Sequence, residues 1–170
     1  MKFYSGFSLR DEAHFFEPYL KKSDYTVAGF SYGAIKALLH VSRTHMRIDT
    51  LQLFSPAFFH DKDDAFKRLQ IMSYKNNSQR YLKYFIQGCF APYPTRDIEH
   101  GMHDATQLTE LLEFQWDAKM LKALCERNIE IEVFLGGKDT IINAVEAKAF
   151  FLPYATTYYY KHANHFLLEE

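Results

Sequence analysis

The sequence has few cysteines, no long apolar run and almost no net charge. Its two cysteines, Cys89 and Cys125, lack the spacing of a metal or redox motif, so we expect reduced thiols in a cytoplasmic protein. No segment is apolar for long enough to be a signal peptide or a membrane span. A formal net charge of -1 gives no general attraction to nucleic acid or to an anionic membrane. We therefore expect neither of these partners, no metal and no other cofactor.

What is present is a regular alternation of strand-like and helix-like segments. The 170 residues suffice for one domain with a buried core, and 48% of them are hydrophobic. Short β-branched and aromatic segments predict strands at 2–5, 25–30, 49–55, 129–135 and 156–160. Helical periodicity occurs at 10–22, 34–45, 57–128 and 143–151. The alternation predicts an α/β fold with about five mainly parallel strands and right-handed crossovers.

The first chemical signal is the G-x-S-x-G sequence at 29–33, between a predicted strand and a predicted helix. A sharp strand-to-helix turn of this kind holds its central serine in a strained conformation and exposes the hydroxyl above the sheet. Ser31 is therefore the candidate nucleophile. The same five residues are also compatible with an ordinary turn between two glycines. The interpretation of Ser31 as a nucleophile therefore depends on finding an acid and a base elsewhere in the sequence.

Both partners occur in the order that this chemistry needs. Asp139 directly follows the fourth predicted strand, where a carboxylate can orient an imidazole or, alternatively, cap the next helix. Of the eight histidines, His162 and His165 follow the last predicted strand. We favour His165 because the catalytic base must extend back over the ends of the strands. His162 is so close to the last predicted strand that it can still be part of it. Reactive groups gather at the carboxyl ends of parallel strands, which predicts a catalytic triad of Ser31, Asp139 and His165.

The expected oxyanion donors are backbone N–H groups. One belongs to Tyr32, directly after the nucleophile, and the second is assigned to Phe7, in the loop after the first predicted strand. Gly6 would permit a close approach of that loop, although it is equally explained as a turn glycine.

These features resemble the α/β-hydrolase superfamily over nearly the whole chain. The segment at 29–34, L-Q-L-F-S-P-A-F at 51–58 with acidic residues at 61–64, and G-G-K-D-T-I-I at 136–142 are similar to the carboxylesterases that hydrolyse pimeloyl-[acyl-carrier protein] methyl ester in biotin biosynthesis. The small size resembles their compact bacterial type, BioV. The resemblance implies a reduced α/β-hydrolase fold in a single domain at 1–170, with a helical lid insertion at about 57–116. It also implies release of methanol by a Ser–His–Asp triad, with acyl-carrier protein as part of the substrate.

The chain departs from the pattern of these esterases at its beginning. It opens at the oxyanion strand, has Ser5-Gly6 where relatives have H-G, and lacks one strand before the serine. Five strands in sequential order would place their crossover helices on one face of the sheet. We expect a repositioned helix or a partner subunit to cover the other face, so both a monomer and a homodimer are open.

The predicted lid has an excess of basic side chains. Residues 61–90 contain six basic and three acidic residues, an arrangement that can attract an acidic partner or simply form a solvated helix face. The candidates for binding the carrier protein are Lys67, Arg68, Lys75, Arg80 and Lys83. Candidates for lining an acyl tunnel, or for ordinary core packing, are Met72, Tyr84, Phe85, Phe90 and Trp116.

Two other functions are compatible with the same residues. One is a broad short-chain carboxylesterase or an acyl thioesterase, which would use the same triad on other acyl groups. The other is an inactive hydrolase fold that serves as a binding module.

Overall fold

The computed structural model describes residues 1–170, and its centre is a parallel β-sheet. The strands are β1 (Lys2–Tyr4), β2 (Thr26–Phe30), β3 (Thr50–Phe54), β4 (Glu130–Gly136) and β5 (Thr156–Tyr160). They lie side by side in sequential order, and every neighbouring pair is parallel. The predicted α/β class with five parallel strands is therefore confirmed. None of the helices has the length and apolar character needed to cross a bilayer.

Six α-helices connect the strands. Helix α1 (Tyr32–Arg43) follows β2, and α6 (Ala144–Phe151) follows β4. Four helices lie between β3 and β4, and the first three of them fall within the predicted lid segment: α2 (Asp64–Asn76), α3 (Ser78–Phe90), α4 (Ala105–Glu113) and α5 (Ala118–Glu126). Side chains that accept a backbone N–H at the helix start define where five of the six begin: Asp63, Asn77, Asp104, Asp117 and Asn143.

The larger core lies on one face of the sheet. Alternate strand residues such as Val27, Leu53 and Val133 point to this face, since successive side chains of a strand lie on opposite sides. Helices α1, α5 and α6 bury their apolar sides against them, with Leu38 and Leu121 fully buried. This arrangement places α1 directly behind the strand end that carries Ser31.

The chain itself covers the opposite face. Phe30 and Phe54 lie on that face, and Phe16 packs on both rings, with ring centroids 4.9 and 4.7 Å apart. Phe90 at the end of α3 and Phe166 near the C-terminus complete the cover, with their ring centroids 4.4 Å apart. From the sequence, either a repositioned helix or a partner subunit was expected to cover this face. In the structure, a repositioned segment of the same chain occupies it.

The segment that provides this cover is the connection between β1 and β2, and here the sequence-based prediction was wrong. Instead of an α-helix over 10–22, only Glu12–Phe16 is helical, as a 3-10 helix, and Pro18 follows it without a backbone donor. The strands follow one another across the sheet in a single direction, but the β1–β2 connection lies on one face and α1, which connects β2 to β3, lies on the other. The β1–β2 connection therefore has the opposite hand to the β2–β3 connection. Right-handedness follows from a helix that packs back onto the sheet, and no α-helix constrains this connection.

Candidate active site

Ser31 lies at the junction of β2 and α1 in a strained backbone conformation. Its φ is 52° and its ψ is -113°, a region that non-glycine residues rarely adopt. The surrounding backbone fixes this conformation, because the Ser31 N–H donates to the Phe54 carbonyl at 2.9 Å and the Ser31 carbonyl accepts from Ala57 at 3.2 Å. The side chain therefore projects from a rigid turn at the carboxyl end of the sheet.

The two glycines that flank Ser31 allow the turn to pack closely. A Cβ atom on Gly29 would lie 2.2 Å from the Gly33 carbonyl oxygen, and one on Gly33 would lie 1.9 Å from the Tyr4 carbonyl oxygen. Neither position can hold a side chain unless the backbone shifts. The close contact with Tyr4 also brings the end of β1 against the turn, so the loop that follows β1 begins beside Ser31.

His165 connects Ser31 to Asp139 through hydrogen bonds at its two ring nitrogens. His165 Nε2 lies 3.1 Å from Ser31 Oγ, and His165 Nδ1 lies 2.6 Å from Asp139 Oδ2. A carboxylate can only accept, so the proton belongs on Nδ1 and leaves Nε2 free to accept from the serine hydroxyl. The side chains of His165 and Asp139 are both completely buried.

Asp139 also holds the loop in which it lies. Its Oδ1 accepts the backbone N–H of Ile141 at 2.7 Å and of Ile142 at 3.1 Å. One carboxylate oxygen is therefore used by the backbone and the other by His165, so the two interpretations of Asp139 from the sequence coexist in one side chain. The orientation of the carboxylate is fixed.

Asn164 positions His165 and was missed in the sequence. Its amide donates to the Phe90 carbonyl at 2.7 Å, and its Oδ1 accepts the N–H groups of Phe166 and Leu168 at 3.0 and 3.1 Å. These bonds connect the C-terminal segment to α3 over a separation in sequence that no local pattern reveals. His162 takes no part in the site, since its side chain is exposed and the structure records only its carbonyl, as an acceptor for Tyr93.

The two predicted oxyanion donors are located where an N–H can be free. Tyr32 is the first residue of α1, and the N–H groups of a first helical turn have no acceptor within the helix. The N–H of Phe7 donates to no acceptor in the protein, although only 1% of the residue's surface is exposed to solvent. A buried N–H without a partner is uncommon and is consistent with a group that awaits a ligand.

A cavity of about 570 Å³ lies between α2, α3, α4 and the loop after Asp139, and it is separated from the triad and the oxyanion donors by one layer of side chains, since none of those residues lines it. Its wall includes Ile141, whose N–H holds Asp139, and Phe85, whose ring meets the Phe7 ring edge-on at 5.9 Å. Most of the lining is apolar, and its polar part includes amide side chains and Arg80. Of the candidates for an acyl tunnel, only Tyr84 and Phe85 line this cavity; Phe90 and Trp116 are buried in the two cores, and Met72 is exposed at the surface.

The predicted carrier-binding residues lie on α2 and α3, the helices that enclose this cavity. Lys67 is half-buried, whereas Arg68, Lys75, Arg80 and Lys83 are exposed. None of the five forms a salt bridge within the chain. Their charges are therefore available to the surroundings.

Comparison with known proteins supports the fold. No protein-family model and no curated protein sequence matches the chain. Among solved structures, BioG from Haemophilus influenzae is similar over 97% of this chain and 87% of its own, with a TM-score of 0.59 and 10% identity. E-2-(Acetamidomethylene)succinate hydrolase is similar over 97% and 84%, with a TM-score of 0.61 and 11% identity.

An esterase from Exiguobacterium antarcticum matches 82% of this chain with a TM-score of 0.58 and 16% identity, and the chain spans only 59% of that protein. Identities this low establish shared architecture and leave the reaction open. The structures that resemble the chain include an esterase and a hydrolase. The chain therefore has the α/β-hydrolase fold, in a reduced form with five parallel strands.

Proposed function

We propose that the protein is a serine carboxylesterase that hydrolyses the methyl ester of pimeloyl-[acyl-carrier protein] to pimeloyl-[acyl-carrier protein] and methanol, in the cytoplasmic biosynthesis of biotin. The observation that carries the proposal is the buried hydrogen-bonded series Ser31 Oγ, His165 and Asp139. The three side chains come from distant parts of the chain and meet at the strained turn after β2. Such an arrangement supports nucleophilic attack on an acyl group.

In the proposed reaction, Ser31 Oγ attacks the ester carbonyl while His165 Nε2 accepts the hydroxyl proton. Asp139 stabilises the imidazolium that forms, and the N–H groups of Tyr32 and Phe7 stabilise the negative charge on the carbonyl oxygen. His165 then gives its proton to the leaving methoxy group, so methanol departs and an acyl-serine remains. Attack by water, again with His165 as the base, releases the free carboxylate and restores Ser31.

The assignment of the substrate is supported by the sequence resemblance and by the surroundings of the site. The mostly apolar cavity of about 570 Å³ beside Phe85 and Ile141 provides room for an acyl chain. The basic side chains on α2 and α3 form no salt bridge within the chain, Arg80 among them lines the cavity, and all carry the sign of charge that attracts an acidic carrier protein. A broad esterase would need the cavity but would gain nothing from these charges.

The serine assignment is tested by labelling with a fluorophosphonate and mass spectrometry of the intact chain. We expect one adduct on the wild-type protein and on Ser42→Ala, whose serine merely bonds to the Leu38 carbonyl within α1, and no adduct on Ser31→Ala. Loss of hydrolysis by roughly three to six orders of magnitude should accompany the loss of labelling. An unlabelled wild-type protein would favour the inactive binding module instead.

The substrate assignment is tested by comparing methyl pimeloyl carrier protein with p-nitrophenyl butyrate. Replacing Arg68, Lys75 and Lys83, which are exposed and do not line the cavity, by glutamine should lower kcat/KM for the carrier-bound ester by about tenfold or more, because charge attraction speeds association. The small ester should be unaffected. The control replaces Lys119 and Lys122, which are exposed on α5, and should change neither rate. Equal loss, or no loss, with both esters would indicate a broad esterase, and faster cleavage of an acyl thioester would indicate a thioesterase.

A further inference from the structure

Glu12 is an acidic side chain buried beneath the candidate active site without a charged partner. It is 0% exposed, a state that glutamate almost never adopts unless it is paired. Its Oε1 accepts the N–H of Gly6 at 2.7 Å, while Oε2 has no hydrogen-bond partner. Burial raises the pKa of Glu12 above its usual range. Burying a carboxyl costs free energy, and the contribution that an apolar side chain could not make here is the bond to the Gly6 N–H, which points to a role for that bond.

Gly6 belongs to the oxyanion loop, which we define as Ser5 to Leu9. The peptide between Gly6 and Phe7 is planar and trans, so the Phe7 N–H points away from the Gly6 carbonyl. That carbonyl accepts the N–H of Leu9 at 3.2 Å, and the Gly6 N–H on the other side of the residue donates to Glu12. The two bonds together fix the direction in which the Phe7 N–H points.

Glu12 is the part of this restraint that acts on the beginning of the loop. Other bonds hold the region after Phe7: the Ser8 carbonyl accepts from Gly101 at 2.9 Å, and the Arg10 N–H donates to Glu99 at 3.2 Å. At the Gly6 end, Glu12 is the side chain that bonds to the glycine backbone. Glycine samples more backbone conformations than any other residue, so the peptide it begins needs an external restraint.

We propose that Glu12 is a positioning residue that aims the Phe7 N–H at the developing oxyanion by holding the Gly6 N–H, an inference that rests on the proposed esterase function. The carboxyl acts through the backbone and touches no reacting atom. Removing one oxyanion donor from a serine hydrolase typically costs about 10² to 10³ in kcat. Losing the correct orientation of the Phe7 N–H should cause part of this loss in kcat, because an unrestrained peptide adopts that orientation for only part of the time.

The experiment compares three variants with the wild-type protein on p-nitrophenyl butyrate and measures the affinity for a trifluoromethyl ketone, which forms a tetrahedral adduct with Ser31. Glu12→Gln retains an oxygen that accepts from Gly6 and should remain within about threefold of wild type in kcat. Glu12→Leu lacks an acceptor, and its kcat should fall by about 10- to 100-fold with KM nearly unchanged. Its affinity for the ketone should fall by a similar factor. Glu17→Leu, at an exposed acidic residue just after the same 3-10 helix, is the control and should leave both quantities unchanged.

If Glu12→Leu does not fold, as judged by circular dichroism, Glu12→Asp takes its place. The aspartate keeps the carboxyl but is one methylene too short to hold Gly6 as closely, so we expect a smaller loss of kcat, still greater than that of Glu12→Gln. A folded Glu12→Leu with wild-type kcat would overturn the proposal, as would equal losses in the glutamine and leucine variants or an effect confined to KM. A wild-type protein that hydrolyses no ester would instead refute the proposed function.

Discussion

Replacing Asp139 by asparagine tests the proposed triad most sharply, because the structure dictates how the new amide must lie. In the native protein Oδ1 accepts two backbone N–H groups, from Ile141 and Ile142, and Oδ2 accepts from His165. In Asp139→Asn the remaining oxygen satisfies the two backbone donors, which places the amide nitrogen against His165 Nδ1. Since that nitrogen donates, Nδ1 must accept, and the ring proton moves to Nε2.

A histidine with its proton on Nε2 cannot take the proton of Ser31. The side chain could recover the active tautomer by rotating its oxygen toward His165, but its NH2 group would then face the two backbone donors. Leaving two buried N–H groups unpaired costs about 2 to 6 kcal/mol in total, which corresponds to a loss of about 30-fold to 2 × 10⁴-fold in the active population. Asparagine at the equivalent position of a serine protease lowers kcat by about 10⁴. We expect a loss of about 10³ to 10⁴.

The assay is steady-state hydrolysis of p-nitrophenyl butyrate, with circular dichroism to verify that each variant is folded. Asp117→Asn is the matched control, because Asp117 also accepts a backbone N–H, from Lys119 at 2.8 Å, but contacts no histidine. It should retain wild-type kcat. A kcat for Asp139→Asn within tenfold of the wild-type value would refute the assignment of Asp139 as the residue that orients His165.

Three further predictions concern stability, each measured by urea unfolding. Phe16→Ala should lose about 3 to 5 kcal/mol, since this fully buried ring covers the second face of the sheet; a loss below about 1 kcal/mol would mean that something else covers it. Tyr32→Phe removes the hydroxyl that donates to the Glu110 carboxylate and should lose about 1 to 3 kcal/mol, whereas Tyr25→Phe, at an exposed ring, should lose almost nothing. Burial raises the pKa of Glu12 from 4.5, so the wild-type protein should lose stability relative to Glu12→Gln as the pH rises from about 4.5 through the folded pKa; a pH-independent difference would contradict this.

The fold could be predicted where the signals are local. Each strand is a short β-branched or aromatic segment, and the glycines around Ser31 mark a turn that no other residue type would permit. Asp139 and His165 could be selected because they directly follow strands, and parallel strands bring the residues that follow them to one edge. Because neighbouring strands are parallel, residues that are distant in the sequence but directly follow strands lie close together in space.

The remaining features depend on contacts that the sequence does not mark. Asn164 matters because it bonds to the Phe90 carbonyl, and nothing in either segment indicates that they meet. The hand of the first connection was predicted incorrectly, since the rule for right-handed crossovers assumes an α-helix that the segment around Pro18 does not form. Glu12 resembles any helix-terminal glutamate until its burial and its bond to Gly6 are known.

The unusual first connection and the proposed role of Glu12 have a common origin. Because β1 pairs directly with β2, with Tyr4 opposite Gly29, the loop after β1 begins beside Ser31. Helix α1 already occupies the sheet face behind that turn, so the chain leaves the loop on the opposite face, where Phe16 covers the sheet. This path passes directly below the oxyanion loop and places Glu12 within reach of the Gly6 N–H. The direct pairing of β1 with β2 thus brings together the nucleophile turn, the oxyanion loop and the residue that would hold it.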